Sequence, residues 1–341
     1  MATHEPEITG PVDLCDGHGR LHDAARGWSR TPMLRANLRR AHGRKKAWDY
    51  WCAISDEIVV SFVYADVDYA GLANVWVMEH ATGAQATAGV LVPFARGFSM
   101  PEQVCTGEVS HQRGRFEIRI TEEHDATSIS ARGTDPTAGD IEVDLRVLKP
   151  EGHESLNVLI PWSRRRFQFT SKQNSRPVEG TVRVGTRVHV LDASHDAWGV
   201  QDLGRGIWPY SNRWNWAAAS GHSTDGRVVG LQFGGKWTVG TGATENALCI
   251  DGRLTKIGAE LEWDYDWDDP IRPWRVTGDD GRIDLTLTPT FDRYDVTDLR
   301  VLRMEVHQCF GTWSGSVVDD SGTTHVLEGI RGFAEEARNR W

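Results

Sequence analysis

A rhythm in the chain limits the fold more than any single motif. From Trp48 onward, runs rich in β-branched and aromatic residues recur about every ten residues, with Gly- and Asp-containing breaks between them. WCAISDEIVVSFVYADVDYAGLANVWVMEH (51–80) holds two such runs around a turn at Asp68 to Gly71, and Ile58, Val60 and Phe62 alternate with Val59, Ser61 and Val63. Further runs follow at 88–94, 103–109, 115–121, 126–132 and 140–148. Others lie at 179–191, 213–221, 227–240, 247–264, 272–277, 282–288, 300–309 and 311–319. Asp225-Gly226, Asp251-Gly252, Asp280-Gly281 and Ser321-Gly322 read as hairpin turns. This spacing belongs to antiparallel meanders, sandwiches and barrels, so the predicted class is mainly β.

Two segments read as short helices. In TPMLRANLRRAHGRKKAWDYW, Leu34, Leu38 and Ala41 fit an amphipathic turn pattern, with Arg35, Arg39, Arg40, Arg44, Lys45 and Lys46 forming a solvated basic face. The closing LEGIRGFAEEARNRW reads as the second helix. The predicted organisation is an extended N-terminal strap (1–30), an N-terminal barrel-like half (31–175) and a C-terminal barrel-like half with a short terminal helix (176–341). No low-complexity linker separates the halves, so they are expected to pack together.

Against 38 basic residues stand 48 acidic ones, a net charge of -10, which argues against nucleic acid and anionic membranes as partners. A small and neutral, at most weakly polar, ligand is expected instead. Cys15, Cys52, Cys105, Cys249 and Cys309 are scattered and form no C-x-x-C pair, so they read as reduced thiols rather than a disulfide or zinc framework. The acidic start MATHEPEITGPVDLCDG and the lack of a run of about eighteen apolar residues imply no membrane span, and a cytoplasmic location is expected.

The richest chemistry lies between Asp192 and Asn246, where five tryptophans, two histidines, four aspartates and a glutamate sit among glycines. Such a stretch is a cavity floor or an aromatic core. If Asp202 is buried among Trp198, Trp208, Trp214 and Trp216, desolvation raises its pKa and makes it a proton donor to an alkene. The tryptophan faces would each steady a carbocation by roughly 0.5–2 kcal/mol. Glu245 and Asn246 follow a Gly-rich turn and form an acid–amide pair, while Asp192 and Asp196 are nearby acids. His195, His222 and His307 are possible bases, and Trp237 and Tyr210 possible wall residues. The expected catalytic set is Asp202, Glu245, His307 and Asp196. The expected substrate-binding set is Trp198, Trp208, Tyr210, Trp214, Trp216, Trp237, His222 and Asn246. The histidines lack H-x-H or H-E-x-x-H spacing, so no metal is assigned. Nor is there a phosphate loop, a nucleophile elbow or a dinucleotide fingerprint; the glycines at 204–206 and 230–242 read as turn formers, and no cofactor is expected.

Four stretches carry a resemblance: DLGRGIWPYSNRWNWAAASG (202–221), TENALCIDGRLTKI (244–257), HQCFGTWSG (307–315) and RKKAWDYW (44–51). Together with the terminal GFAEEARNRW they resemble the family labelled domain of unknown function 2804. That family is distantly similar to the carotenoid 1,2-hydratase, tocopherol cyclase and Diels-Alderase group. The resemblance implies a pair of lipocalin-like β-barrels and an apolar, often isoprenoid or polyene, ligand in a barrel mouth or between the barrels. It favours a cofactor-independent hydratase, cyclase or isomerase working by proton transfer. A glycoside hydrolase with paired carboxylates and a non-catalytic carrier of an apolar ligand are the alternatives.

Overall fold

The computed structural model describes residues 5–39, 43–298 and 302–341. Short pieces β1 (Val12–Asp13), β2 (Trp28–Ser29) and β3 (Leu34–Arg35) belong to the N-terminal segment. A first sheet is built from β4 (Lys45–Ile54), β5 (Ile58–Asp66), β6 (Ala70–Glu79), β7 (Gln85–Pro93), β8 (Glu108–Arg113), β9 (Phe116–Glu122), β10 (Ala126–Asp135), β11 (Gly139–Leu148), β12 (Leu156–Ser163), β13 (Arg166–Val184), β14 (Arg187–Leu191) and β15 (Trp198–Ile207). The second contains β16 (Ser211–His222), β17 (Val228–Gly235), β18 (Asn246–Ile250), β19 (Arg253–Ile257), β20 (Leu261–Asp264), β21 (Trp274–Gly278), β22 (Ile283–Asp298), β23 (Arg303–Val318) and β24 (Thr324–Arg340).

Hydrogen bonding orders the first sheet β7-β6-β5-β4-β15-β13-β11-β10-β9-β8, with β12 and β14 also paired to β13. The second runs β19-β18-β17-β16-β24-β23-β22-β21-β20. The first curls into a near-closed barrel and the second into a half-barrel, giving the expected pair of packed, lipocalin-like antiparallel units. In the first, β7 returns to β10: the Thr87 amide donates to Asp135 Oδ2 at 2.9 Å, and Gly133 makes room for Ala88. The pleat sends alternate residues inward. Trp51, Phe62, Ile118, Ile129 and Val143 fill the first barrel, and Phe233, Leu248, Trp274, Leu285 and Trp313 the second. The sheet changes between Ile207 and Ser211, whereas position 175/176 falls inside β13. No helix is long and apolar enough to cross a membrane among the described residues.

The structure corrects both predicted helices. Residues 34–35 pair in parallel with 12–13, and Leu34 and Leu38 lie in an extended segment that covers Leu159, Phe167, Leu203 and Ile207. Arg40 and Ala41, which belong to that expected helix, lie outside the described residues, as do residues 300 and 301 of one expected strand. The C-terminal segment is the long strand β24, paired on both edges with β16 and β23. Its AEEAR sequence favours a helix locally, yet burial of Phe333, Ala334 and Ala337 between two neighbouring strands overrides that preference. Helical structure among the described residues is limited to two three-residue 3-10 turns, at Asp23–Ala25 and Ala193–His195.

Several glycines also have a different role from the predicted one. Gly204 and Gly206 lie within β15, not at a turn: a Cβ on Gly204 would collide with the Trp48 ring, and one on Gly206 with Gln168. Gly230, Gly234 and Gly235 likewise lie in β17, while Gly240 and Gly242 adopt positive φ in the following turn. Gly204→Ala is therefore expected to lower stability by about 1–3 kcal/mol through overpacking. Urea unfolding followed by tryptophan fluorescence measures it, and an unchanged midpoint would contradict the close packing of Trp48.

Candidate functional site

Strand parity decides which side chains meet between the barrels. From the first barrel, Trp48, Tyr50 and Cys52 of β4, Gln168, Thr170, Lys172 and Asn174 of β13, and Val200 and Asp202 of β15 share the face turned to the second barrel. Opposing them are Trp214, Trp216 and Ala218 of β16, Gln308 and Phe310 of β23, and Phe333 and Glu335 of β24. The contacts agree with this parity: Trp216 stands edge-on to Tyr50 at 5.6 Å, Gln308 donates to the Tyr50 hydroxyl, and Cys52, Val200, Trp216 and Phe333 form one apolar cluster.

At the centre of this interface lies Lys172. Its Nζ is 2.9 Å from Asp202 Oδ1 and 3.1 Å from Glu245 Oε1, and it sits 4.2 Å above the Trp216 ring. Only 4% of the Lys172 side chain and 2% of Glu245 are accessible, so the charges are almost fully withdrawn from water. Burial works against the ammonium, but the Asp202 and Glu245 charges outweigh it and hold the Lys172 pKa above its ordinary value.

Each acid has further donors. Asp202 accepts from Trp48 Nε1 at 3.1 Å and from the Thr170 hydroxyl at 3.0 Å, in addition to Lys172. Glu245 precedes β18 and accepts from Trp237 Nε1 at 3.1 Å, and Gly234 leaves space for its carboxyl group. Burial pushes the Glu245 carboxyl above the ordinary range; Lys172 opposes that rise and Asp202 adds to it. Glu335 accepts from Trp214 Nε1 at 2.8 Å. Burial pushes its carboxyl up to about 7, opposed by the Trp214 hydrogen bond and the Lys172 charge and assisted by Asp202. Three carboxyl groups thus feel one ammonium. At neutral pH the cluster contains acids able to hold and release a proton.

A tryptophan seam borders this cluster. Trp208 is buried and contacts Trp48 at 5.6 Å, Trp162 at 4.9 Å, Trp214 at 5.8 Å, Trp237 at 5.6 Å and Trp341 at 5.5 Å between ring centroids. Trp208 is accordingly core, whereas Trp48, Trp162 and Trp214 are only partly buried and keep part of their surface towards solvent.

Of the residues singled out in the sequence, Asp202, Glu245, Trp214, Trp216 and Trp237 gather here, with Trp208 behind them. The others lie apart. His307 pairs with Asp292 at 2.7 Å between Trp267 and Tyr294. Asp196 accepts from Trp198 Nε1 and pairs with Arg331, and Trp198 meets the exposed His222 edge-on. Asn246 spans Gly234 N–H and the Ala259 carbonyl, a structural bond across the sheet. Tyr210 is exposed beneath Arg44, and His195 pairs with Asp192 in a 3-10 turn. No group of three or more His, Cys, Asp or Glu that could hold a metal occurs among the described residues. Lys172 and Glu335 are absent from the residues that the sequence singles out. A lysine flanked by Gln, Ser and Thr in the middle of a buried strand is the available signal for the first; the expected helix hides the second.

Over residues 5–341 the sequence matches the family described as Domain of unknown function (DUF2804). The chain belongs to that family. A comparison of this DUF2804 chain with curated proteins finds no match. Among solved structures it is similar to kievitone hydratase from Nectria haematococca, with 10% identity, 86% of this chain and 88% of that chain covered, and a TM-score of 0.46. It is also similar to CghA, with 9% identity, 91% and 95% coverage and a TM-score of 0.40.

The Glu335 environment gives a signed pH prediction. In the folded protein its carboxyl keeps a proton up to about pH 7, against an ordinary value of 4.5, so the native state loses stability as pH rises from 4.5 through 7. Glu335→Gln keeps the acceptor for Trp214 and removes that loss. Its Tm should exceed the wild-type value by a few degrees at pH 8.5 and converge with it near pH 4.5, measured by scanning calorimetry. A variant less stable than wild type at pH 8.5 would contradict the buried neutral acid.

Proposed function

We propose that this DUF2804 chain is a cofactor-independent enzyme that transfers a proton to an apolar, alkene-bearing small molecule at the interface of its two barrels. One observation carries the reading: Asp202 and Glu245 clamp a single buried ammonium beside a tryptophan seam, and a further buried carboxyl group, Glu335, is the strand partner of Trp216, the ring under that ammonium. In this reading Glu335, kept neutral by burial, gives its proton to an unsaturated carbon. Trp48, Trp214 and Trp216 face the resulting cation, and Asp202, 2.9 Å from Lys172 Nζ, steadies it or takes up the departing proton. Hydration, cyclisation and isomerisation share these steps. An isoprenoid or polyene is the substrate class that fits the aromatic lining, and its path runs past the partly exposed Trp48, Trp162 and Trp214.

The glycosidase alternative fits less well. Glycoside cleavage places its carboxylates about 5–9.5 Å apart across an open cleft, whereas Asp202 and Glu245 clamp the same lysine nitrogen in a closed interface. A carrier shares the apolar lining and differs only in leaving its ligand unchanged.

Solvent deuterium separates these readings across a whole panel of candidate substrates. Purified protein is incubated in deuterated buffer with prenylated phenols and polyenes that raise its Tm, and products are analysed by mass spectrometry. Deuterium should appear on carbon, with a rate that falls as pH rises above about 7, the range in which Glu335 loses its proton. Glu335→Gln should lower the rate by at least about a hundredfold, the typical contribution of a general acid, while ligand-induced stabilisation persists. Binding without deuterium incorporation would make the protein a carrier.

A further inference from the structure

On the other side of the first sheet lies a second site of opposite charge. A cavity of about 430 Å³ opens where the N-terminal segment crosses the β12–β13 turn, and Arg20, Arg39, Arg165 and Arg166 line it together with His18 and Ile207. Its lining contains no acidic residue. Ile207 and Asp202 are five positions apart on one strand and so point to opposite faces of the sheet, which separates this cavity from the Lys172 cluster.

Pairing around the cavity is selective. Four neighbouring arginines have carboxylate partners: Arg26 with Asp23, Arg30 with Glu7 and Glu154, Arg35 with Asp13, and Arg164 with Asp23. Among the described residues, none of the four arginines lining the cavity forms an ion pair with a carboxylate. Two acids stand close by, and both are engaged. Asp13 is held by both Nε and Nη2 of Arg35, at 2.6 and 2.7 Å, and Asp16 accepts from the backbone N–H groups of His18 and Arg20. Those Asp16 bonds bend the segment so that Gly19, at φ 73°, lies against the Arg39 carbonyl and brings Arg20 and Arg39 to one rim. Arg165 and Arg166 come from the other rim, where Ser163 Oγ accepts from both of their backbone amides.

In a chain of net charge -10, four arginines line one cavity with no carboxylate among them; the Arg166 guanidinium donates to the Arg165 carbonyl at 2.9 Å, which leaves its charge unpaired, and these like charges repel one another unless an anion joins them. Guanidinium forks match phosphate oxygens two at a time, and the cavity volume lies within the usual range for small-molecule sites. We propose that this cavity binds a small molecule through a phosphate or diphosphate group, independently of the chemistry between the barrels.

The test is isothermal titration of the full chain with inorganic pyrophosphate, with citrate as the carboxylate control and phosphatidylglycerol vesicles as the membrane control. Pyrophosphate should bind more tightly than citrate, with affinity that weakens as salt is raised. Arg20→Ala/Arg165→Ala, two exposed positions from opposite rims, should weaken pyrophosphate binding at least tenfold with an unchanged Tm. Glu335→Gln should leave it unchanged, so failure of the proposed proton chemistry and failure of this site can be told apart. No pyrophosphate binding at low salt, equal binding by the double variant, or preference for citrate would each overturn the proposal. Partition onto the vesicles without pyrophosphate binding would overturn it in favour of a membrane surface.

Discussion

The two barrels are joined through one ammonium ion. Lys172 belongs to β13 and Asp202 to β15 of the first barrel, whereas Glu245 is supplied by the second, so the ion pair crosses the boundary between them. Withdrawing these charges from water costs several kcal/mol per ion, and only close geometry with further hydrogen bonds offsets it. The interface meets that condition with tryptophan N–H groups, since Trp48, Trp237 and Trp214 each donate to one of the three carboxyl groups. Much of the aromatic content of the chain therefore serves two purposes. The rings make the interface dry, and their N–H groups keep its acids in place.

That double use settles the ambiguity of the Asp192–Asn246 stretch. Trp208 contacts five other tryptophans and is an aromatic core in the ordinary sense. Trp216 is different, because it lies under the Lys172 ammonium and donates its own N–H to Gln232 at 3.0 Å. The barrel interiors are filled by their own side chains, so the buried charged cluster lies on the outer faces of the sheets, where two barrels press together.

The strand rhythm was legible because antiparallel hairpins write themselves locally, in alternation and in Asp-Gly turns. Asp202 and Glu245 were legible because they lie in the same aromatic stretch. What brings them together was not: Lys172 is thirty positions before Asp202 and becomes its neighbour only through the β13–β15 register, which pairs residue 172 with 202. Glu335 was hidden for a related reason. Ala-Glu-Glu-Ala-Arg favours a helix until flanking strands claim both edges, and that pairing sets residue 335 opposite Trp216. The histidines show the converse. They stand out in a sequence, yet His307 is satisfied by Asp292, and His195 by Asp192, within fifteen and three positions respectively.

The position of β24 bears on how the protein assembles. This strand lies between β16 and β23, so β16 spends the synthesis of about a hundred intervening residues without its final neighbour. Contacts of such long sequence separation form slowly, after local hairpins. The last ladder to close in the second barrel is then the one that delivers Glu335 to Trp214 and Lys172. A chain whose hairpins have formed but whose second sheet is still open lacks the third acid, and the charged cluster at the interface is complete only when assembly is.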